Sequence, residues 1–160
     1  MAELVLCFNE LLLDSVKEIF ETMIFMDLLE SQDPNYTIQG DAVLSSITFK
    51  GNLEGCLAIC CEKKCAQTIT MNMLGFDSID DISDADICDA VGEVANMVMG
   101  SLKKRIYDTY GDLQLSIPVV VNGQQLKNNL GEGTQEAIVN IQFEDEFPAT
   151  LSFLYREVKN

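Results

Sequence analysis

A glutamate and a carboxamide three residues apart, Glu93 and Asn96, are the polar pair in this sequence best placed to meet another molecule. They lie in DADICDAVGEVANMVMGSLKKRIY (Asp84–Tyr107), which has the apolar period of one long helix. At about 100° per residue, Val91, Val94, Ala95, Val98, Leu102 and Ile106 fall within one apolar stripe. Asp89, Glu93, Asn96 and Gly100 fall within about 40° of the opposite pole. Gly100 at the middle of that face and Gly92 at its flank each cost about 1 kcal/mol relative to alanine inside a helix. Met97 lies on the same outer side. Small residues remove bulk and let a second surface come close to the backbone. The chemistry such a face could do is docking, by an acid and an amide beside a clearing. Its contacts would be Asp89, Gly92, Met97 and Gly100. The plainer alternative, a solvated helix exterior, stays open on the residues alone.

Composition narrows the partners. The chain has no histidine, which removes histidine triads and the usual general base. Ten Lys+Arg against 26 Asp+Glu give a formal charge of −16. Such a surface repels phosphate backbones and anionic membranes, so neither nucleic acid nor membrane is an expected partner. No apolar run reaches the ~18 residues of a spanning helix. The N-terminus lacks the basic start and small-residue cleavage site of a secretory signal, and a cytoplasmic location is expected. Without such a signal, Cys7, Cys56, Cys60, Cys61, Cys65 and Cys88 read as reduced thiols packed as small apolar groups. Their spacing is not that of zinc knuckles, and on a strand Cys60 and Cys61 would point to opposite faces. The acid-rich stretch Asp77–Asp86 lacks the central glycine and terminal glutamate of a calcium loop. It reads as a capped helix start, with Ser83 or Asp84 at the N-cap. No metal site is expected.

The elements that would carry this face can be read in order. At 160 residues the chain is expected to form a single domain, 1–160. Glu3–Phe8 is short and apolar, a lead-in strand or packed coil, with Asn9 able to cap the next element. Glu10–Leu29 has a helical pattern, with Leu12, Val16, Ile19, Phe20, Met23 and Asp27 near one face. Pro34 breaks it. Tyr36–Lys50 and Leu53–Cys61 read as a hairpin about Gly51-Asn52. Glu62–Leu74 reads as a short helix stopped by Gly75. After the long helix come three strand candidates: Leu113–Val121, in which Pro118 marks an edge or a bulge, Glu136–Glu144 and Phe147–Val158. Between the first two lies a loop beginning at Asn122-Gly123. The expected architecture is α+β: an antiparallel β-sheet packed with two long helices and a shorter one.

The two long helices repeat one another at an offset of 75 residues, which either a duplicated helix–hairpin unit or the chance agreement of two amphipathic helices would explain. Asp14, Glu18 and Glu21 align with Asp89, Glu93 and Asn96. Phe25 stands where the second copy has Gly100. Only the second copy keeps both the amide and the clearing.

The segment Asp89-x3-Glu93-x2-Asn96, with Pro118 downstream, resembles the signature of the CheC/CheX/FliY phosphatases of bacterial chemotaxis. The first helix, with Glu18-Ile-Phe-Glu21-Thr-Met23, looks like the degenerate first copy of the CheX branch. The resemblance implies a CheC-like fold. It also implies hydrolysis of the aspartyl phosphate on a CheY-type response regulator, with Glu93 and Asn96 as the catalytic pair. The receiver would bring its own Mg2+ and phosphorylated aspartate, so no cofactor of this chain's own is expected. Asn96 would fix a water in line, by positioning and not by proton abstraction. Glu93 would pair with the receiver's lysine. Gly92 and Gly100 would let the helix approach the partner's loops, while Asp89 orients or solvates the helix start. A homodimer through sheet edges is also implied, with Glu136–Glu144 as the strand that offers few protective charges. The fold family is similar as well to flagellar switch components that bind without hydrolysing. A non-catalytic adaptor that binds a response regulator is therefore the alternative, and a redox-responsive module on Cys60, Cys61 and Cys65 a third reading.

Overall fold

The computed structural model describes residues 2–31, 33, 38, 40–124, 126, 131–144 and 146–158. Helix α1 runs Ala2–Ile19, so Glu3–Phe8 opens the first helix and is neither strand nor coil. A short apolar run has no period of its own; this one joins the i, i+4 series Phe8, Leu12, Val16 and Phe20, all buried. Asn9 therefore lies inside the helix and caps nothing. The helix also stops earlier than its pattern suggests. A π-helical turn, Phe20–Ile24, succeeds it, and Phe25 takes the left-handed conformation at φ 62°. Strand β1, Leu28–Glu30, comes next. The wider turn rotates the face, so Met23 and Asp27 are exposed while Ile24 and Met26 are buried.

Strands β2 (Ala42–Lys50) and β3 (Leu53–Glu62) form the expected hairpin. Its expected beginning at Tyr36, and Pro34 before it, lie outside the described residues. Helix α2, Lys63–Leu74, ends on Gly75 at φ 75°, whose N–H donates to the Met71 carbonyl. Helix α3 spans Asp84–Arg105, and Ile106 separates it from a single further turn, α4, Tyr107–Tyr110. Strands β4 (Gln114–Leu115) and β5 (Val119–Gly123) both pair with β2. They are one edge strand interrupted before and at Pro118, which has no N–H to give a ladder. Most of the loop after β5 lies outside the described residues. Strands β6 (Gln135–Phe143) and β7 (Phe147–Glu157) complete the sheet.

The order is β1-β6-β7-β3-β2, then β4 and β5, with every pairing antiparallel. The fold is thus α+β, as expected. Alternate residues of β2, β3, β6 and β7 join the buried stripes of α1 and α3 in one core. At its centre, Phe153 meets the rings of Phe8, Phe49 and Tyr155. Helix α3 packs against α1, α2 and the strands β2, β3 and β5. The strand expected as a sheet edge, Glu136–Glu144, is β6, and it is second in the sheet: β1 covers Ile141–Phe143. The opposite edge, β4 and β5, leaves Ile117, Val119 and Val121 exposed.

Candidate functional site

The site is the outer face of α3, and several interactions fix that helix. Ser83 is its N-cap: the Asp86 N–H donates to the Ser83 hydroxyl at 3.1 Å, and the Ser83 N–H donates to the Asp86 carboxylate at 2.9 Å. This reciprocal box satisfies two donors that a helix start leaves open. Asp84 and Asp86 occupy the first turn and Lys103, Lys104 and Arg105 the last, the order that the helix dipole favours. The stripe Val91, Val94, Ala95, Val98, Leu102 and Ile106 is buried throughout. From beneath, the buried Ser45 hydroxyl of β2 donates to the Val91 carbonyl at 2.9 Å. Lys63 of α2 reaches Asp84 at 3.7 Å.

Gly92 belongs to this scaffold and not to the exposed face. It is buried, and a Cβ placed there would lie 3.5 Å from Pro118 Cβ and 3.7 Å from Val120 Cγ2. The expectation that Gly92 clears space for a partner is corrected: it faces this chain's own β5. Pro118, a residue of the resemblance, is the surface that packs against it.

The remaining positions lie as the helical arithmetic places them. Asp89 and Glu93 are exposed, Asn96 is half-buried, and Gly100 opens onto empty space with nothing within 4 Å of a would-be Cβ. Met97 is only half-exposed and packs its apolar side against the core. Neither Glu93 nor Asn96 makes a side-chain hydrogen bond or ion pair with another described residue. Asn96 and Gly100 line a cleft of about 530 Å³, which Lys103, Lys104, Tyr107, Asp108 and Leu115 complete. Sequence reasoning misses these five. Lys104 has a signal, since 11 residues after Glu93 is three turns plus about 20°. Leu115 has none, because only the pairing of β4 with β2 brings it there.

The first copy of the repeat has a different fate. Glu18, aligned with Glu93, accepts hydrogen bonds from Arg105 Nη1 at 2.6 Å and from the Ser101 hydroxyl at 3.0 Å. Arg105 also donates to Ser101 at 2.6 Å. The bond from Arg105, then that from Ser101, holds the Glu18 carboxyl below its ordinary range. The acid is a strut between α1 and α3. Phe25, at the position aligned with Gly100, is 74% exposed.

No described thiol lines the cleft beside Asn96. Burial, with the neighbouring Cys61, pushes Cys60 up to about 11. The Cys61 contact, then burial, pushes Cys65 up as well. Buried thiols held protonated in this way are poor nucleophiles and poor metal ligands. The side chain of Cys7 lies outside the described residues.

Known structures share this fold. The chemotaxis protein CheX from Vibrio vulnificus superposes with a TM-score of 0.76 at 26% identity, over 92% of this chain and 95% of that one. The CheX–CheY–BeF3–Mg2+ complex from Borrelia burgdorferi gives 0.74 at 19% identity, over 92% and 97%. FliY from Thermotoga maritima gives 0.66 at 17% identity, over 96% and 90%. The architecture is therefore the one common to CheX and FliY. A search of curated proteins finds no match. The profile of the family described as chemotaxis phosphatase CheX matches residues 43–144. That match covers more than half of the chain, including all of α3, and the chain belongs to the CheX family. No helix among the described residues is long and apolar enough to cross a membrane.

Proposed function

We propose that this chain hydrolyses the aspartyl phosphate of a CheY-type response regulator in the cytoplasm, with Asn96 holding the attacking water and Glu93 docking the receiver's lysine. The observation that carries this reading is the Asn96 amide at the wall of an open cleft, one helical turn from the exposed Glu93, both without a side-chain partner among the described residues. Family membership supports the reaction class. The Borrelia burgdorferi neighbour, a CheX solved with CheY, supports the partner class.

An acyl phosphate is already a reactive anhydride, so the scarce component is a water aligned with the P–O bond. The Asn96 amide oxygen accepts from that water and its NH2 group donates to an oxygen beside it, which fixes direction without any proton abstraction. Water attacks phosphorus, the bond to the aspartate oxygen breaks, and inorganic phosphate leaves with the water's oxygen. Mg2+ belongs to the receiver in this reading. Glu93 sets the register through a charge-assisted hydrogen bond to the receiver's lysine. Gly100 keeps side-chain bulk out of the approach, Met97 offers the apolar rim, and Asp89 solvates the start of the docking face.

Phosphate release from a phosphorylated receiver tests the assignment. Asn96→Ala is expected to lower kcat by about 100-fold, the scale of lost positioning, while binding persists. Equal, slow release with wild type and variant refutes the phosphatase reading. Binding by wild type without accelerated release moves the chain to the adaptor class.

We also propose a homodimer joined along a sheet edge. The outer side of β5 pairs with no described strand and carries the exposed Val119 and Val121, an edge without protective charge.

A further inference from the structure

We propose that Lys104 is a second electrostatic anchor of the docking face, taking an acidic side chain of the receiver while Glu93 takes its lysine. This rests on the receiver reading above and adds a direction to it. Three observations converge on this residue.

The first is position. Glu93 and Lys104 lie on one helix, about 16 Å apart along the axis and about 20° apart around it by regular helical geometry. The face therefore runs from an acid, past the amide and the clearing, to a base. A partner that matches it must present a base and an acid about 16 Å apart, with the phosphoryl group between them.

The second is availability. The three cations of the last turn are not equivalent. Lys103 is held by Asp112 at 2.8 Å, and Arg105 by Glu18 at 2.6 Å. Lys104 is exposed and makes no ion pair with a described residue. Asp108, four residues on, lines the same cleft but lies beyond the break at Ile106. Its charge also acts on Glu18, which is already hydrogen-bonded to Arg105.

The third is the electrostatic setting. A chain of charge −16 repels anionic groups on a partner, a phosphoryl group among them. An ammonium in the wall of the Asn96 cleft, without an ion-pair partner among the described residues, offsets that repulsion locally. It also penalises the reversed orientation, in which Lys104 would meet the receiver's lysine and Glu93 its acids. At about 12 Å along the axis from Asn96, Lys104 stands clear of the reacting phosphorus. It is a positioning residue and not a catalytic one.

The test uses the full chain and a phosphorylated receiver, with KM and kcat measured over a range of ionic strength. Lys104→Gln is expected to raise KM about three- to fivefold, the scale of one exposed ion pair. It should leave kcat within twofold and flatten the salt dependence of KM. Lys104→Glu should raise KM further, and Lys104→Arg should restore it. A lysine serving only the helix dipole would shift the thermal midpoint and leave the salt dependence unchanged. Wild-type KM and salt dependence in Lys104→Gln, or a loss confined to kcat, overturns the proposal. Binding of the phosphorylated receiver in the Asn96→Ala background separates this proposal from the phosphatase reading. Weaker binding on adding Lys104→Gln upholds the anchor even if Asn96 proves not to position water, and unchanged binding refutes it.

Discussion

The two glycines of α3 are alike in sequence and opposite in setting, so paired substitutions test the docking face directly. Replacing either by alanine removes the backbone-entropy cost of glycine in a helix, about 1 kcal/mol. At Gly92 the new Cβ would meet Pro118 and Val120 at 3.5 and 3.7 Å, ordinary van der Waals contacts. At Gly100 it meets nothing within 4 Å. Gly92→Ala and Gly100→Ala should therefore each raise the thermal midpoint by about 2–4 °C, for a chain of this size. Function should separate them. Gly92 faces β5, so Gly92→Ala leaves KM and kcat at wild-type values. Gly100→Phe keeps about half of the helix-propensity gain but places a ring in the cleft beside Asn96, imitating the exposed Phe25 of the first copy. It should raise KM for the phosphorylated receiver by about tenfold or more, since docking must then displace a packed ring or forgo contact with Asn96. Thermal unfolding monitored by circular dichroism and phosphate release are the two assays. Gly100→Phe with wild-type KM would show that the receiver does not approach this face. A lower midpoint in Gly92→Ala would show that α3 needs a bare backbone against β5, contrary to the room seen there.

The same geometry sets two further outcomes. Arg105 and Ser101 depress the Glu18 carboxyl, so the folded state binds its proton less readily than the unfolded chain does. That stabilisation is full above the ordinary value of 4.5 and is lost as pH falls through the lower folded value. Both side chains are partly exposed, at 44% and 30%, which limits the pair to about 0.5–1 kcal/mol. The midpoint gap between wild type and Glu18→Gln should be present near neutrality and close in strong acid; a gap that persists there would show that packing and not charge holds α1 to α3. For the dimer, sedimentation equilibrium at micromolar concentration should give twice the chain mass, and a monomer would count against pairing along β5.

The parts of the fold legible in the sequence are those where one local signal decides. The α3 stripe has six apolar positions in strict helical register, and all are buried. Gly75 stops α2 because a residue at φ 75° is cheap only for glycine. Pro118 interrupts the edge strand for want of an N–H. Misreadings arise where tertiary packing decides. Nothing in Glu3–Phe8 distinguishes strand from helix until Phe8 is seen packed against the ring of Tyr155. The π turn at Phe20–Ile24 has no period signature, so a regular helical period puts Met23 and Asp27 on the wrong face. Gly92 and Gly100 differ only in what the chain brings near them, which is β5 in one case and solvent in the other. The far wall of the cleft is illegible for the same reason, since Leu115 arrives through a strand pairing.

The two aligned helices differ in what each leaves exposed. A docking face of this kind requires a free acid, an amide one turn on and a clearing one turn further. The second copy meets all three with Glu93, Asn96 and Gly100. In the first, Glu18 is taken by Arg105 and Ser101, Glu21 stands in place of the amide, and the aligned Phe25 lies past the end of the helix, in the left-handed conformation. These losses are coupled. Arg105 comes from the last turn of α3, so the ion pair that closes the first face also braces the helix that carries the second. The π turn that carries Phe25 out of helical register also bends the chain towards β1, which covers β6. Recovering an amide at position 21 would leave Glu18 bonded to Arg105 and Ser101. The acid of the first helix is thus used within the fold, where it braces the helix that carries Glu93 and Asn96.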